Sequence, residues 1–173
     1  MARLTIDIEQ EFRSELVAYL ASLPLIGNVF DRRREFYSRI DFFSRLGVQN
    51  PDSQLKIRYA EVECLNITDD DVEGFDDNPA AVGSYNLHLF HEFEDLRSDN
   101  SNSDKDFTEL LITLRAKMLQ APKLPLTTSG WTAVLEPVTP PEGVPFTQFG
   151  NDSLTDVRGH FKDLTIEVRF YEQ

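Results

Sequence analysis

The sequence predicts a single-domain α+β protein in which helices pack on one face of an antiparallel-rich mixed sheet. Three segments have apolar residues at helical spacing, three have alternating side-chain character, and the strand-like segments cluster in two pairs around one helix. At 173 residues, with 40% hydrophobic residues and 13 phenylalanines, the chain can bury a sizeable core. No internal repeat or linker interrupts it, so residues 1–173 are predicted to form one domain.

The first third of the chain is predicted to contain two helices separated by a short strand. Apolar residues recur at helical spacing from Asp7 to Leu23, and Pro24 ends this helix because the residue before proline disfavours helical geometry. Val29 to Asp31 is predicted to be the short strand. The second helix is expected to be capped by Gly47 and to bury one face that carries Phe36, Ile40, Phe43 and Leu46.

The middle of the chain is predicted to form a β-hairpin. Lys56 to Thr68 is rich in strand-forming residues, and every second position from Tyr85 to Phe93 is apolar or histidine. The two strands are adjacent in sequence and are joined by turn-forming residues, so antiparallel pairing is expected. His91 is predicted to lie on the apolar face of the second strand and His88 on the opposite face.

The last third is predicted to contain one helix followed by two strands. Ser103 to Met118 carries an apolar stripe at helical spacing, and prolines follow it closely. Alternation predicts strands from Trp131 to Val138 and from Leu164 to Phe170. Gly143 to Arg158 has no periodicity and is predicted to be a long loop.

The net charge of −13 argues against one class of function. Proteins that bind DNA by neutralising phosphates need a surplus of lysine and arginine, which this chain lacks. An acidic surface is nevertheless compatible with DNA as a neighbour that must not adhere, because like charges repel.

The chain shows no sign of membrane insertion or of disulfide chemistry. No segment approaches about 18 apolar residues, so we expect a protein that is made in a cytoplasm and does not enter a membrane. The lone cysteine, Cys64, cannot form an internal disulfide and lies in an apolar-rich stretch. It is predicted to be a small core residue rather than a reactive thiol.

The segment from Asp69 to Asp77 is the most acidic part of the sequence. It holds six carboxylates around Gly74: Asp69, Asp70, Asp71, Glu73, Asp76 and Asp77. An EF-hand loop that began at Asp69 would have its glycine at position six but needs a bidentate glutamate at position twelve, where this chain has Ala80. Because strands flank the segment, we expect a solvated hairpin loop with every carboxylate ionised, rather than a calcium site or a catalytic pair.

The sequence contains no pattern that indicates catalysis or a bound cofactor. His88 and His91 point to opposite faces of a strand and cannot chelate one metal together. No Gly-x-Ser-x-Gly elbow, phosphate-binding glycine loop or cysteine–histidine zinc spacing is present. We therefore expect no enzyme activity, no metal and no cofactor.

Arg32, Arg33 and Arg34 form the clearest basic patch of this acidic chain. One interpretation is a helix start with ordinary surface charges. The other is a basic edge that meets an acidic surface of an identical subunit. Subunits with complementary surfaces of this kind associate head to tail, and such contacts can close into rings.

The order of these elements resembles the tail terminator proteins of long-tailed bacteriophages, which complete the tail and join it to the head. The resemblance spans most of the chain and rests on element order rather than on an invariant motif. Four segments carry it: the N-terminal helix with Leu23–Asp31, the hairpin with its return strand Tyr85–Phe93, the helix that ends at Lys117–Pro122, and the closing strands Trp131–Val138 and Phe161–Tyr171. The chain departs from the family pattern in a longer segment between Asp31 and Lys56 and in its long acidic hairpin loop.

This resemblance implies a structural protein of the virion that is assembled in the host cytoplasm and forms a ring, commonly a hexamer. The ring would terminate the tail tube and dock it to the head connector, with DNA passing through the channel without sequence-specific binding. Its partners would be identical subunits, the tail tube protein and a connector or neck protein. We expect the acidic loop to line the channel or to contact a neighbouring ring, and the basic edge to lie at a subunit interface.

Two alternatives remain open at the level of sequence. One is another neck component, such as a head-completion or connector protein. The other is a soluble acidic binding module that is linked to calcium.

Overall fold

The structure, a computed structural model, describes residues 4–52, 55–69, 79–92, 101–137, 148–150 and 159–172. These residues form three helices and seven strands in the following order: α1 (Ile6–Ala21), β1 (Asn28–Phe30), α2 (Arg39–Arg45), β2 (Arg58–Asp69), β3 (Ala81–Glu92), α3 (Ser101–Met118), β4 (Lys123–Leu126), β5 (Trp131–Pro137), β6 (Gln148–Gly150) and β7 (Gly159–Glu172). In this part of the chain, no helix is long and apolar enough to cross a membrane.

The strands form one mixed sheet, and the fold is the predicted single α+β domain. The sheet order is β1-β2-β3-β7-β5-β4, and β6 pairs with the start of β7. Only β1 and β2 are parallel among the pairings described. The hairpin of β2 and β3 is confirmed, with a register that runs from Arg58 opposite His91 to Asp69 opposite Ala81.

The two long helices cover one face of the sheet and form the larger core. From α1, Phe12 and Leu16 are fully buried, and the ring of Phe12 contacts those of Tyr85 and Phe170. From α3, Phe107 and Leu114 pack against the same face. The predicted helical stripes and strand alternations therefore meet in this core.

A second core lies on the opposite face, at the end of the sheet where β2 begins. Aromatic side chains dominate it: Phe30, Phe36, Phe42, Phe43, Tyr59 and Phe90. Strand alternation places Tyr59 and Phe90 on this face, where their rings stack at 5.3 Å. We call residues 32–52 with 55–58 the arginine lobe, because they cover these strands and carry seven basic residues.

The helix predicted within the lobe exists but is shorter than expected, and part of its predicted buried face is wrong. Ser38 caps α2 by accepting a hydrogen bond from the backbone N–H of Asp41, so Phe36 precedes the helix. Phe36 is still fully buried, whereas Ile40 in the first turn is 69% exposed. Gly47 follows the helix with φ of +80°, as the predicted cap requires.

Two short strands, β4 and β6, were not predicted from the sequence. Pro122 and Pro125 were expected only to end the preceding helix, yet β4 contains Pro125. This is possible because β4 is the last strand of the sheet, and a proline at an edge need not donate to a further strand. Residues 148–150 form β6 inside the segment predicted to be a long loop.

Candidate functional surface: the open sheet face and the arginine lobe

Beyond the lobe, the face of the sheet opposite α1 and α3 has no helix over it among the described residues. Buried and half-buried residues alternate along Ala81–Asn86 of β3, Trp131–Glu136 of β5 and Ile166–Phe170 of β7, and the half-buried ones point to this side. We call this surface the open face. Its polar members include Glu63, Ser84, Asn86, His88, Glu136, Asp163, Thr165, Glu167 and Arg169.

A histidine flanked by two carboxylates bridges three strands of the open face. His88 of β3 lies opposite Asp163 of β7, and its Nδ1 is 2.5 Å from a carboxylate oxygen of that residue. The other ring nitrogen, Nε2, lies 2.8 Å from a carboxylate oxygen of Glu63 on β2. We call Glu63, His88 and Asp163 the three-strand bridge. Because both ring nitrogens face carboxylates, neither is available as a general base or as a metal ligand.

The bridge favours the charged form of its histidine. The hydrogen bond to Asp163 raises the pKa of His88, burial opposes this rise, and the hydrogen bond to Glu63 adds to it. In turn, the hydrogen bond from His88 lowers the pKa of Asp163. The two shifts agree, since an imidazolium can donate one hydrogen bond to each carboxylate.

Acidic groups outnumber basic ones on the open face. Besides the three-strand bridge, this face has two ion pairs of Arg169. A terminal guanidinium nitrogen lies 3.1 Å from a carboxylate oxygen of Glu136 on β5, and Nε lies 3.2 Å from a carboxylate oxygen of Glu167 on the same strand. Four carboxylates therefore face one arginine and His88. Counting the described residues alone, the open face carries a net negative charge whether or not His88 is protonated.

The predicted basic edge is only partly directed outward. The guanidinium of Arg34 stacks over the ring of Phe30 at 4.6 Å, and the backbone N–H of Arg34 donates to Glu61. Arg34 therefore makes contacts within its own chain, and the predicted role of Arg32 to Arg34 at a subunit interface stays a prediction. Arg32 is exposed, and its Nε lies 3.5 Å from a carboxylate oxygen of Asp31. Arg33 is exposed as well, and its charge acts on His88 and Asp163 of the same chain.

Most of the predicted acidic loop lies outside the described residues. Asp69 is the last residue of β2 and is exposed. The other five predicted members lie beyond the part of the chain that the structure describes: Asp70, Asp71, Glu73, Asp76 and Asp77. Their proposed role in a channel or between rings stays a prediction. No group of three or more histidine, cysteine, aspartate or glutamate side chains suited to a metal ion occurs among the described residues.

His91 and His160 lie on the helix-covered face, opposite one another on β3 and β7. The ring of Phe107 packs against both imidazoles, with its centroid 5.1 Å from that of His91 and 5.6 Å from that of His160. Burial, together with the nearby charge of Arg58, lowers the pKa of His91 to about 3. The predicted core position of His91 is confirmed, and so are the opposite faces of His88 and His91.

A buried ionic contact joins α1 to the end of β1. Glu9 is 6% exposed, and one of its carboxylate oxygens lies 2.5 Å from Nε of Arg13. Arg13 also donates to the backbone carbonyl of Asp31 at 2.8 Å. Cys64 lies nearby, half-buried against the larger core, and burial raises the pKa of its thiol. The thiolate is thus disfavoured, in agreement with a packing role.

A wide cleft of about 650 Å³ opens between the C-terminal ends of α1 and α3. Its wall includes Tyr19, Leu23 and Pro122, and the exposed Lys117 and Lys123 lie at its margin. The cleft brings together no pair of acidic and basic groups that could act in catalysis. We assign it no chemical role.

Neither protein-family models nor curated proteins yield a match to this chain. The resemblance to tail terminators therefore rests on the order of elements in the sequence alone.

Sequence reasoning missed the three-strand bridge. Glu63 and Asp163 are separated by 100 positions, and only the register of β2, β3 and β7 brings them to one histidine. One signal was present in the sequence: His88 falls on the polar side of the β3 alternation, where a charged partner is expected.

Proposed function

We propose that this chain is a structural protein of the bacteriophage neck. In this proposal it forms a ring that terminates the tail tube and joins the tail to the head connector. The supporting observation is a two-sided sheet, with the long helices on one face and an open, acidic face on the other. The subunit is non-enzymatic in this role.

The open face suits the wall of a channel that DNA traverses. A channel must pass the phosphate backbone without retaining it, and a surface with excess carboxylates repels phosphates. Glu63, Asp163, Glu136 and Glu167 supply that excess on rigid strands. Repeated around a ring, the same residues would give a continuous acidic lining.

The edge of the sheet offers a means of ring closure. β1 pairs only with Tyr59 to Glu61, so from Val62 onward the outer edge of β2 has no neighbouring strand among the described residues. A register shift between Cys64 and Asn66 leaves Leu65 as an extra residue, and its side chain is 52% exposed. An edge of this kind can pair with a strand of another subunit through main-chain hydrogen bonds.

The proposal is tested by the assembly state of the purified chain, alone and with tail tube protein. We expect ring-shaped particles in negative-stain micrographs and a matching mass by light scattering, either alone or once tubes are added. A chain that stays monomeric under both conditions would contradict the proposal. Rings that bind the head connector but never the tube would instead assign the chain to another neck position.

A further inference from the structure

The arginine lobe exposes apolar side chains to an unusual extent. Of the seven large apolar side chains that are exposed in the described chain, three lie in the lobe: Tyr37 at 67%, Ile40 at 69% and Leu55 at 45%. Arg39, next to Ile40, donates to the backbone carbonyl of Leu55, which brings that residue beside α2. Several exposed apolar groups on one small lobe are more typical of an interaction surface than of solvated protein.

The arginines of the lobe divide into two groups. Arg34, Arg39 and Arg45 stack over the rings of the aromatic core at 4.6, 4.9 and 5.6 Å. Arg39 also pairs with Glu92, and Arg45 pairs with Asp41, so these charges are compensated internally. Arg32 and Arg33 remain on the outside, and the Arg32 side chain is 72% exposed.

The charge of the lobe is opposite to that of the rest of the chain. Residues 32 to 58 contain seven of the 17 basic residues and three of the 30 acidic ones, so the lobe carries +4 and the remainder −17. A second copy of this chain therefore presents a surface of complementary sign. The open face is assigned to the channel, so the acidic surface that meets the lobe lies elsewhere on that copy, where the exposed Asp69 ends β2.

We propose that the outside of the lobe, formed by Arg32, Arg33, Tyr37, Ile40 and Leu55, is the docking surface for a second copy of this chain. The arginines would meet an acidic surface of that copy, and Ile40 and Leu55 would be covered by the contact. Where each lobe meets the acidic surface of the next copy, the contact is heterologous, and such contacts close into rings when the rotation permits. This inference rests on the proposed ring and names the surface that forms it.

The test compares matched pairs of variants by sedimentation and light scattering. Arg32→Glu with Arg33→Glu reverses the charge of the lobe, and Lys117→Glu with Lys123→Glu makes the same change at the cleft. Ile40→Ser removes an exposed isoleucine from the lobe, and Ile112→Ser removes one that is 59% exposed on α3. Thermal melts first establish that each variant is folded.

We expect the wild-type chain and both control variants to assemble, and both lobe variants to lose the assembled species. Added salt should weaken wild-type assembly, because the contact pairs opposite charges at a surface. Lobe variants that assemble like the wild type would overturn the inference, and so would a wild type that stays monomeric both alone and with tail tube protein. A monomeric chain that binds duplex DNA or an unrelated acidic protein through Arg32 and Arg33 would show that this surface docks that partner and not a second copy of the chain.

Tail tube capping by the same variants separates this inference from the proposed function. If the lobe variants both assemble and cap tubes normally, the proposed docking surface is wrong but the proposed tail function is supported. If the wild type never caps tubes but its assembly still depends on the lobe, the docking surface is supported but the proposed tail function is wrong.

Discussion

His88 and His91 lie three residues apart on β3, on opposite faces of the sheet, and their pKa values are shifted in opposite directions. Hydrogen bonds to Asp163 and Glu63 stabilise the charged form of His88 on the open face. Burial beneath α3 and the charge of Arg58 stabilise the neutral form of His91. The strand therefore carries one histidine that favours protonation and one that resists it, and each limits stability at a different end of the pH scale.

We predict that His88 makes the protein less stable as the pH rises above neutrality. Its folded pKa is raised above the unfolded value of 6.5, so its stabilisation is complete below pH 6.5 and is lost as the pH rises through the folded pKa. The melting temperature, measured as a function of pH, should fall over this range for the wild type. His88→Gln should remove that fall, and an unchanged alkaline profile would contradict the bridge.

We predict the opposite dependence for His91. Its pKa is lowered from 6.5 to about 3, so the unfolded chain binds a proton that the folded chain excludes, and stability falls as the pH drops through this window. The slope should be about 1.4 kcal/mol per pH unit. His91→Leu should flatten the acid limb in denaturant titrations. Some slope should remain, because burial also lowers the pKa of His160.

Two glycines with the same backbone angle should differ in their tolerance of alanine. Gly27 and Gly47 both have φ of +80°, but a Cβ on Gly27 would lie 2.2 Å from the carbonyl oxygen of Arg58, whereas Gly47 faces open space. Gly47→Ala should cost about 1 kcal/mol for the left-handed conformation alone. Gly27→Ala should cost about 3 kcal/mol or more, because β1 must also move away from β2. Equal losses of unfolding free energy in urea would refute the close approach.

Phe36 and Ile40 provide a direct test of the second core. Phe36→Ala should lower the free energy of unfolding by about 3–5 kcal/mol, because it removes a fully buried ring that packs against Phe30, Phe42 and Tyr59. Ile40→Ala should change it by about 0.5 kcal/mol or less, since the side chain is exposed. If the sequence-based helix face were correct instead, the two losses would be similar.

Calcium should leave the melting temperature unchanged. The sequence from Asp69 lacks the glutamate that an EF-hand loop needs at its twelfth position, where Ala80 stands. A ligand that binds only the folded state raises the melting temperature, so calorimetry with and without calcium is sufficient. A rise that disappears in Asp71→Asn would support the calcium-linked alternative.

Much of the fold could be predicted because its residues follow regular periods. The buried stripe of α1 and the alternation of β3 and β7 are local patterns, and one-sided burial imposes them. Burial in the second core does not follow these local patterns. Phe36 is fully buried although it precedes α2, while Ile40 at the expected spacing is exposed.

The unpredicted parts of the surface depend on long-range register. β4 tolerates Pro125 only because it is an edge strand, and edge position is a property of the assembled sheet. The three-strand bridge likewise exists because Glu63, His88 and Asp163 come from different strands. The interface role of Arg32 to Arg34 stays a prediction, and the stacking of Arg34 over the Phe30 ring depends on where the fold places Phe30.

The proposal that this chain forms a ring at the end of a phage tail is tested by tail tube capping. Purified chain would be mixed with tubes assembled from the major tail protein of the same phage, and the tube ends imaged by negative-stain microscopy. We expect a ring on one end of each tube and no further elongation at that end when tube protein is added. Bare ends that continue to elongate, with the chain remaining monomeric in solution, would contradict it.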